Sequence, residues 1–175
     1  PVSRLVQFFA RSGAASNQAL GAFAVAGCRS LQIEEVFMGR PCVPKDRPPM
    51  SDRRDGPETL GELYGDLINT AMSHIPPDMT ITMHMCRGNY KSTFMGAGGY
   101  EAVQEILFNK IKVHGFFMEY DSDRAGGFEP LRMVPKDTTV VLGLVTSTSG
   151  RLGSKDARER RDTAGRKLHP PRPCI

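Results

Sequence analysis

His84 and Cys86 stand two apart in the stretch TMHMCRGNYKST, residues 82–93, where an alternating segment runs into a glycine-bearing turn. Successive side chains of a strand point to opposite faces, so positions i and i+2 look the same way. A strand over 79–86 therefore groups Thr80, Thr82, His84 and Cys86 on one face, with Ile81, Met83 and Met85 on the other. Downstream, HGFFMEYD (114–121) alternates as well and puts Phe117, Glu119 and Asp121 together. An imidazole, a thiolate and a carboxylate meeting at one point suit zinc, which accepts N, S and O ligands in tetrahedral geometry. Three protein ligands with the fourth place open mark a catalytic ion rather than a structural one. His84, Cys86 and Glu119 are thus candidate catalytic metal ligands. The plainer alternative is packing, since cysteine is often buried and many histidines are satisfied core residues.

Other chemistries fit less well. GNYKST and GAGG invite a phosphate-loop reading, but the glycine that should precede the lysine of a Walker pattern is absent. Those glycines are better explained as tight turns beside the site. A Cys–His nucleophilic dyad needs the two groups in hydrogen-bond contact, whereas neighbours at i and i+2 stand side by side. Cys28 and Cys42 default to structural roles, and Met83, Met85 and Met95 to filling gaps.

The elements that must position these groups alternate along the chain. Residues 3–27 are Ala-rich and read as one or two helices, with Gly27 a stop. CRSLQIEEV follows as a strand, with Leu31, Ile33 and Glu35 on one face and Gln32, Glu34 and Val36 on the other. Residues 39–57 are rich in proline and charge and read as a long loop. Over 58–74, Leu60, Leu63, Tyr64, Leu67, Ile68 and Met72 form one helical stripe, ended by Pro76 and Pro77. GYEAVQEILFNKI is expected as a helix before the strand that carries Glu119. A polar loop over 122–137 then leads to TTVVLGLVTS, a strand too apolar for an exposed edge. Residues 154–167 are expected as a charged helix, and LHPPRPCI as a disordered tail.

Strands alternating with helices imply a mostly parallel sheet. Each of the first three strands carries polar or acidic residues at its C-terminal end on one parity. In a barrel of parallel strands that parity faces the axis, and the C-terminal ends form the mouth of the active site. A doubly wound sheet would instead carry a glycine fingerprint in its first turn, which is missing. Four strands are half of a barrel that ordinarily takes about 250 residues. The fold expected is therefore α/β, of the (β/α)8 TIM-barrel type, with about half of the barrel in this chain. Residues 1–150 form the partial barrel, and 151–175 a charged helix with a degenerate tail.

The 175 residues suffice for one domain with a core. The net charge of +4 sits in the segment from Arg151 onward, leaving the body near balance. That argues against a nucleic-acid footprint, which needs a basic face on the folded body. No apolar run reaches membrane-spanning length and no signal-peptide pattern opens the chain. The four cysteines form no CxxC pair, which points to a reducing, cytoplasmic compartment. The first residue is Pro1, so the chain reads as a fragment.

LQIEEV, TITMHMCRGNYKST, GGYEAVQEILFN, FFMEYDSDRAGGFEPLR and VVLGLVTS together resemble the catalytic C-terminal domain of cobalamin-independent methionine synthases. They are most similar to the short, single-domain methyltetrahydropteroyltriglutamate–homocysteine methyltransferase-like members. The resemblance runs from about residue 24 to 157, and HxCRGN and EYDxxRxGxFEPLR are its specific blocks. It implies a (β/α)8 barrel in which zinc binds the homocysteine thiol for methyl transfer, with methyl-folate the implied donor. His84, Cys86 and Glu119 match three family zinc ligands. An Asp that holds the homocysteine ammonium in the family corresponds to Glu34, one methylene longer, and Asp121 is the second acidic residue assigned to substrate. The family's fourth ligand, a Cys in a Pro-x-Cys-Gly motif, has no counterpart here. Cys174 lies in an ending that reads as truncated or frameshifted. Thr146 aligns with a His that supplies a proton in the long enzymes.

Three functions follow. The first is a zinc-dependent methyltransferase that makes methionine from homocysteine. The second is a catalytically incompetent barrel fragment that binds zinc or a partner chain, with self-association through its open sheet edges. The third is a zinc hydrolase with Asp121 as base, which the resemblance disfavours.

Overall fold

The Ala-rich N-terminal stretch folds as a single helix, α1 (Arg4–Val25). Gly27 ends it as expected: at φ +95° it adopts the left-handed conformation that costs glycine nothing. The turn lets the Cys28 N–H reach back to the Phe23 carbonyl at 2.9 Å, the closing bond of a Schellman cap. The structure is a computed structural model that describes residues 4–43 and 57–170. The remaining elements are β1 (Ser30–Glu35), α2 (Pro57–Ala71), β2 (Thr80–Met85), β3 (Gly115–Glu119), β4 (Thr139–Gly143) and α3 (Lys155–Leu168). Most of the 39–57 loop, and the tail beyond residue 170, lie outside the described residues.

The four strands form one parallel sheet in chain order, β1-β2-β3-β4. Its register sets Glu34 opposite His84, His84 opposite Phe117, and Phe117 opposite Val141. The expected parity is observed. Ile81, Met83, Met85, Phe116 and Met118 are buried against the helices, together with Ile68 and Ala71 of α2. The opposite face is open, with Phe117 36% and Val141 40% exposed.

Two expectations are corrected. Residues 99–111 are not one regular helix: a 3-10 turn at Tyr100–Ala102 gives way to a π-helical segment at Ile106–Lys110. The cause is tertiary. Asn69 of α2 donates to the Lys110 carbonyl at 2.9 Å and accepts from the Lys112 N–H at 3.0 Å, so α2 dictates where that segment ends. Nor is β4 interior; it is an edge of the described sheet. Its continuous apolar run serves two faces, with Val140 and Leu142 packed on the core and Val141 on the open side.

The charged helix forms, as α3, capped by Ser154, whose hydroxyl accepts the Ala157 N–H at 3.2 Å. Arg161 pins it to the end of β3, donating to the Tyr120 and Ser122 carbonyls at 2.7 and 2.8 Å. Gly165 allows the close approach, since a Cβ there would overlap the Leu142 Cδ1 and lie 3.4 Å from Phe128. Gly165→Val should therefore lower stability by about 1–3 kcal/mol through overpacking, read as a lower urea midpoint at unchanged slope. An unchanged midpoint would mean that α3 is not seated on the sheet as described. Among the described residues, no helix is long and apolar enough to cross a membrane.

Candidate metal centre

The C-terminal ends of β1, β2 and β3 bring the sequence-predicted residues together on the open face. Each position follows from strand alternation, and the register brings the neighbours side by side. Ligand atoms of Glu34, His84 and Cys86 all lie within 4.8 Å of one another, the one such His/Cys/acid group among the described residues. Atoms bound to one tetrahedral zinc at about 2.0–2.3 Å sit roughly 3.3–3.8 Å apart, so a shared cation requires the side chains to close in by about 1 Å. The donor set, an imidazole, a thiol and a carboxylate, is one that zinc accepts.

Glu119 falls outside that group, although its Oε1 is 3.6 Å from His84 Nε2. Both of its oxygens are engaged elsewhere. Oε1 accepts the Arg87 N–H at 3.1 Å, and Oε2 accepts from Arg124 Nη2 at 3.2 Å. The same Arg124 nitrogen lies 3.0 Å from each oxygen of Asp121. Asp121 is thus on the expected face, but its charge is already balanced by a buried guanidinium.

Hydrogen bonds prepare the ligands. His84 Nδ1 is 3.1 Å from the Phe117 carbonyl, so the Nδ1–H tautomer leaves Nε2 free to coordinate. The Gly88 N–H donates to Cys86 Sγ at 3.2 Å. Gln32 Nε2 donates to Glu34 Oε1 at 3.0 Å.

The charge balance agrees with this geometry. The Glu119 carboxylate beside Nε2, with help from the Glu34 charge, raises the His84 pKa above its ordinary value against the opposing effect of burial. Burial pushes the Cys86 thiol up, and the Glu119 and Glu34 charges add to the effect. Burial is the largest single influence on Glu119 and acts upward. The adjoining His84 ring, the Arg87 N–H and Arg124 outweigh it, and the carboxyl is held below its usual range. Asp121 likewise is held low: burial acts upward, but hydrogen bonds from Thr146 and Arg124 prevail. Thr146 therefore sits at the site beside Asp121. A thiol raised by burial is a poor nucleophile by itself, and a cation is what would ionise it.

Sequence reasoning passed over Arg124, Tyr100 and Gln32. Arg124 is part of the EYDxxR block, but nothing local ties it to Glu119. Gln32 shares the parity of Glu34, and that was the available signal. None of Cys28, Cys42 and Cys86 is in a disulfide.

No protein-family model matches the chain. Two proteins of Bacillus subtilis (strain 168), the uncharacterized YxjH and YxjG, are each 41% identical to it, over 156 and 148 residues. The matches cover 89% and 84% of this chain, but 41% and 39% of those proteins. The chain thus spans about two fifths of the length of the curated relatives it matches. A solved structure from Listeria monocytogenes, named provisionally as a vitamin-B12-independent methionine synthase, is similar with a TM-score of 0.68 and 36% identity. That similarity covers 90% of this chain and 43% of the Listeria chain.

Proposed function

We propose that this chain carries the metal half of a zinc-dependent methyltransferase that moves a methyl group to the thiol of homocysteine and forms methionine. The observation that supports this most is the meeting of His84, Cys86 and carboxylate ligand atoms at the C-terminal ends of parallel strands. The 36% identity to a protein named as a methionine synthase supports the same reaction class. Four parallel strands in chain order are what four successive units of a (β/α)8 barrel would give. The open face would then look toward the barrel axis.

His84 and Cys86 would hold the ion, with Glu119 alongside His84 and tethered by Arg124. Bound there, zinc would supply the acidity that converts a thiol of ordinary pKa near 8.5 into a thiolate at neutral pH. The chain's own residues do the rest. The Phe117 carbonyl fixes the His84 tautomer, the Gly88 N–H steadies the Cys86 sulfur, and Arg124 fixes the Glu119 carboxylate. Glu34 and Asp121 are the acidic groups available to the substrate ammonium, and Asp121 is the weaker choice because Arg124 neutralises it. Methyl-folate is the donor this reading adopts.

A second reading, a fragment that binds zinc or a partner chain without catalysis, is favoured by the open face and by β1 and β4, the edge strands of the sheet among the described residues. One experiment separates the two. Zinc-loaded protein is incubated with homocysteine and methyl-folate, and methionine is quantified alongside bound zinc. About one zinc per chain, with methionine formed in amounts exceeding the protein, is expected for the enzyme. Zinc bound without turnover selects the second reading, and no zinc bound rejects the first.

A further inference from the structure

The chain that leaves β2 after Cys86 reaches across the C-terminal ends of the neighbouring strands. Its root is fixed, because the Met95 and Gly96 N–H groups both donate to the Arg87 carbonyl, at 2.8 and 2.9 Å. Beyond that root, Asn89 donates to Ser147 Oγ at 3.2 Å, past the end of β4. The Phe94 ring lies 4.5 Å from the Arg124 guanidinium, past the end of β3. Tyr90 and Thr93 exchange N–H···O bonds of 3.0 and 2.9 Å. The tip is therefore a two-residue turn, with Lys91 and Ser92 at φ 50° and 64°. Residues 89–95 are thus a closed hairpin laid over the strand ends, and every one of them is exposed. Tyr90 is 74%, Phe94 45% and Met95 45% exposed, so three large apolar side chains stand in solvent beside the site.

Two features suit this hairpin to movement. Gly88 and Gly98 flank it at φ +80° and +131°, where only glycine rotates freely. Arg124 Nη1, in the guanidinium that Phe94 covers, is buried without a partner, so the observed position carries an unmet hydrogen bond. We propose that residues 89–95 form a lid that stands open in the substrate-free protein and closes over the mouth of the site when the amino-acid thiol binds. The hairpin pivots on the Arg87 carbonyl, and Gly88 and Gly98 absorb the backbone rotation. The proposal rests on the functional reading above and adds to it the element that keeps water from the reacting thiolate. A ligand shifts such an equilibrium only by what it gains in the favoured state. Here the gain is burial of Tyr90, Phe94 and Met95, together with release of Arg124 Nη1 to an acceptor.

The chain contains no tryptophan, so Tyr90→Trp places a single fluorescent reporter on the hairpin. Phe8→Trp, at an exposed position of α1, is the control. Acrylamide quenching is measured on the zinc-loaded proteins before and after saturation with L-homocysteine, whose binding is followed by titration calorimetry. Quenching of the Tyr90→Trp protein should fall at least about twofold on binding, because closure takes the reporter out of water, while the control stays constant. A double variant, Tyr90→Ala with Phe94→Ala, should keep its zinc and bind homocysteine at least about tenfold more weakly, since two of the side chains that drive closure are gone. Both residues are exposed, and overlaid circular-dichroism melts exclude misfolding as the cause. Homocysteine bound with unchanged quenching of the Tyr90→Trp protein overturns the lid and leaves the zinc reading standing. Equal homocysteine affinity in wild type and the double variant overturns it as well, because nothing would then drive closure. If zinc-loaded wild type binds no homocysteine, the functional reading fails and the lid falls with it.

Discussion

Cys86→Ser should reduce bound zinc from about one per chain to background and methionine formation by at least about 100-fold, since even outer-shell changes at zinc sites cost 10–100-fold. The substitution is nearly isosteric, and Cys86 is only half-buried, so the protein should fold as before. What changes is chemistry: a hydroxyl does not ionise near neutral pH and is a poor partner for zinc beside an imidazole. His84→Ala should act in the same direction, because Nε2 is its free nitrogen once Nδ1–H is committed to the Phe117 carbonyl. Cys42→Ser supplies the control. Cys42 is fully buried at the base of the loop after β1, outside the ligand group, and its loss should leave zinc content unchanged. Metal analysis after dialysis decides the matter. Equal zinc in wild type and Cys86→Ser would reduce the pair at 84 and 86 to the packing role that their residue types also allow.

That pair was legible because strand alternation is a local property. Thr82, His84 and Cys86 share a face whatever the rest of the chain does, and the burial along β2 follows the pattern position by position. Gln32 and Glu34 on β1 were legible in the same way. Register was not. Nothing local says that Glu34 lies opposite His84, and that pairing is what gathers Glu34 with His84 and Cys86 while Glu119 remains with Arg124. The 99–111 segment defeats periodicity for a related reason. Its apolar spacing is helical, but Asn69 on α2 captures the Lys110 carbonyl and Lys112 N–H and sets the geometry from outside. β4 misleads in the opposite direction: an apolar run reports that two faces need cover, and carries no information on which segment provides it.

Tyr100→Phe should destabilise the fold by about 3 kcal/mol, while Tyr120→Phe, twenty positions on in the same buried cluster, should leave stability unchanged or slightly improved. Both rings are fully buried and pack at a centroid distance of 5.2 Å. Their hydroxyls differ. β2 pairs with β3 as far as Met85 opposite Met118, and beyond that point β3 loses its partner on that side. The Tyr100 hydroxyl takes the partner's place: it accepts the Glu119 N–H at 3.1 Å and donates to the Glu119 carbonyl at 3.2 Å. It also accepts from Arg87 Nε at 3.4 Å, under a guanidinium stacked 4.0 Å from the ring. Phenylalanine keeps the ring and the stacking but strands two backbone groups and Nε, each costing about 1–3 kcal/mol when buried without a partner. The Tyr120 hydroxyl has no partner among the described residues, and removing it relieves a buried polar group instead of creating one. Thermal melts should show Tyr100→Phe lowered by roughly 6–12 °C and Tyr120→Phe at or above wild type. Zinc affinity should follow the same order, because the Tyr100 hydroxyl fixes the backbone from which Glu119 reaches His84. Two equal melting shifts would show that the cluster is held by ring packing alone, and that the end of β3 is not fastened through this hydroxyl.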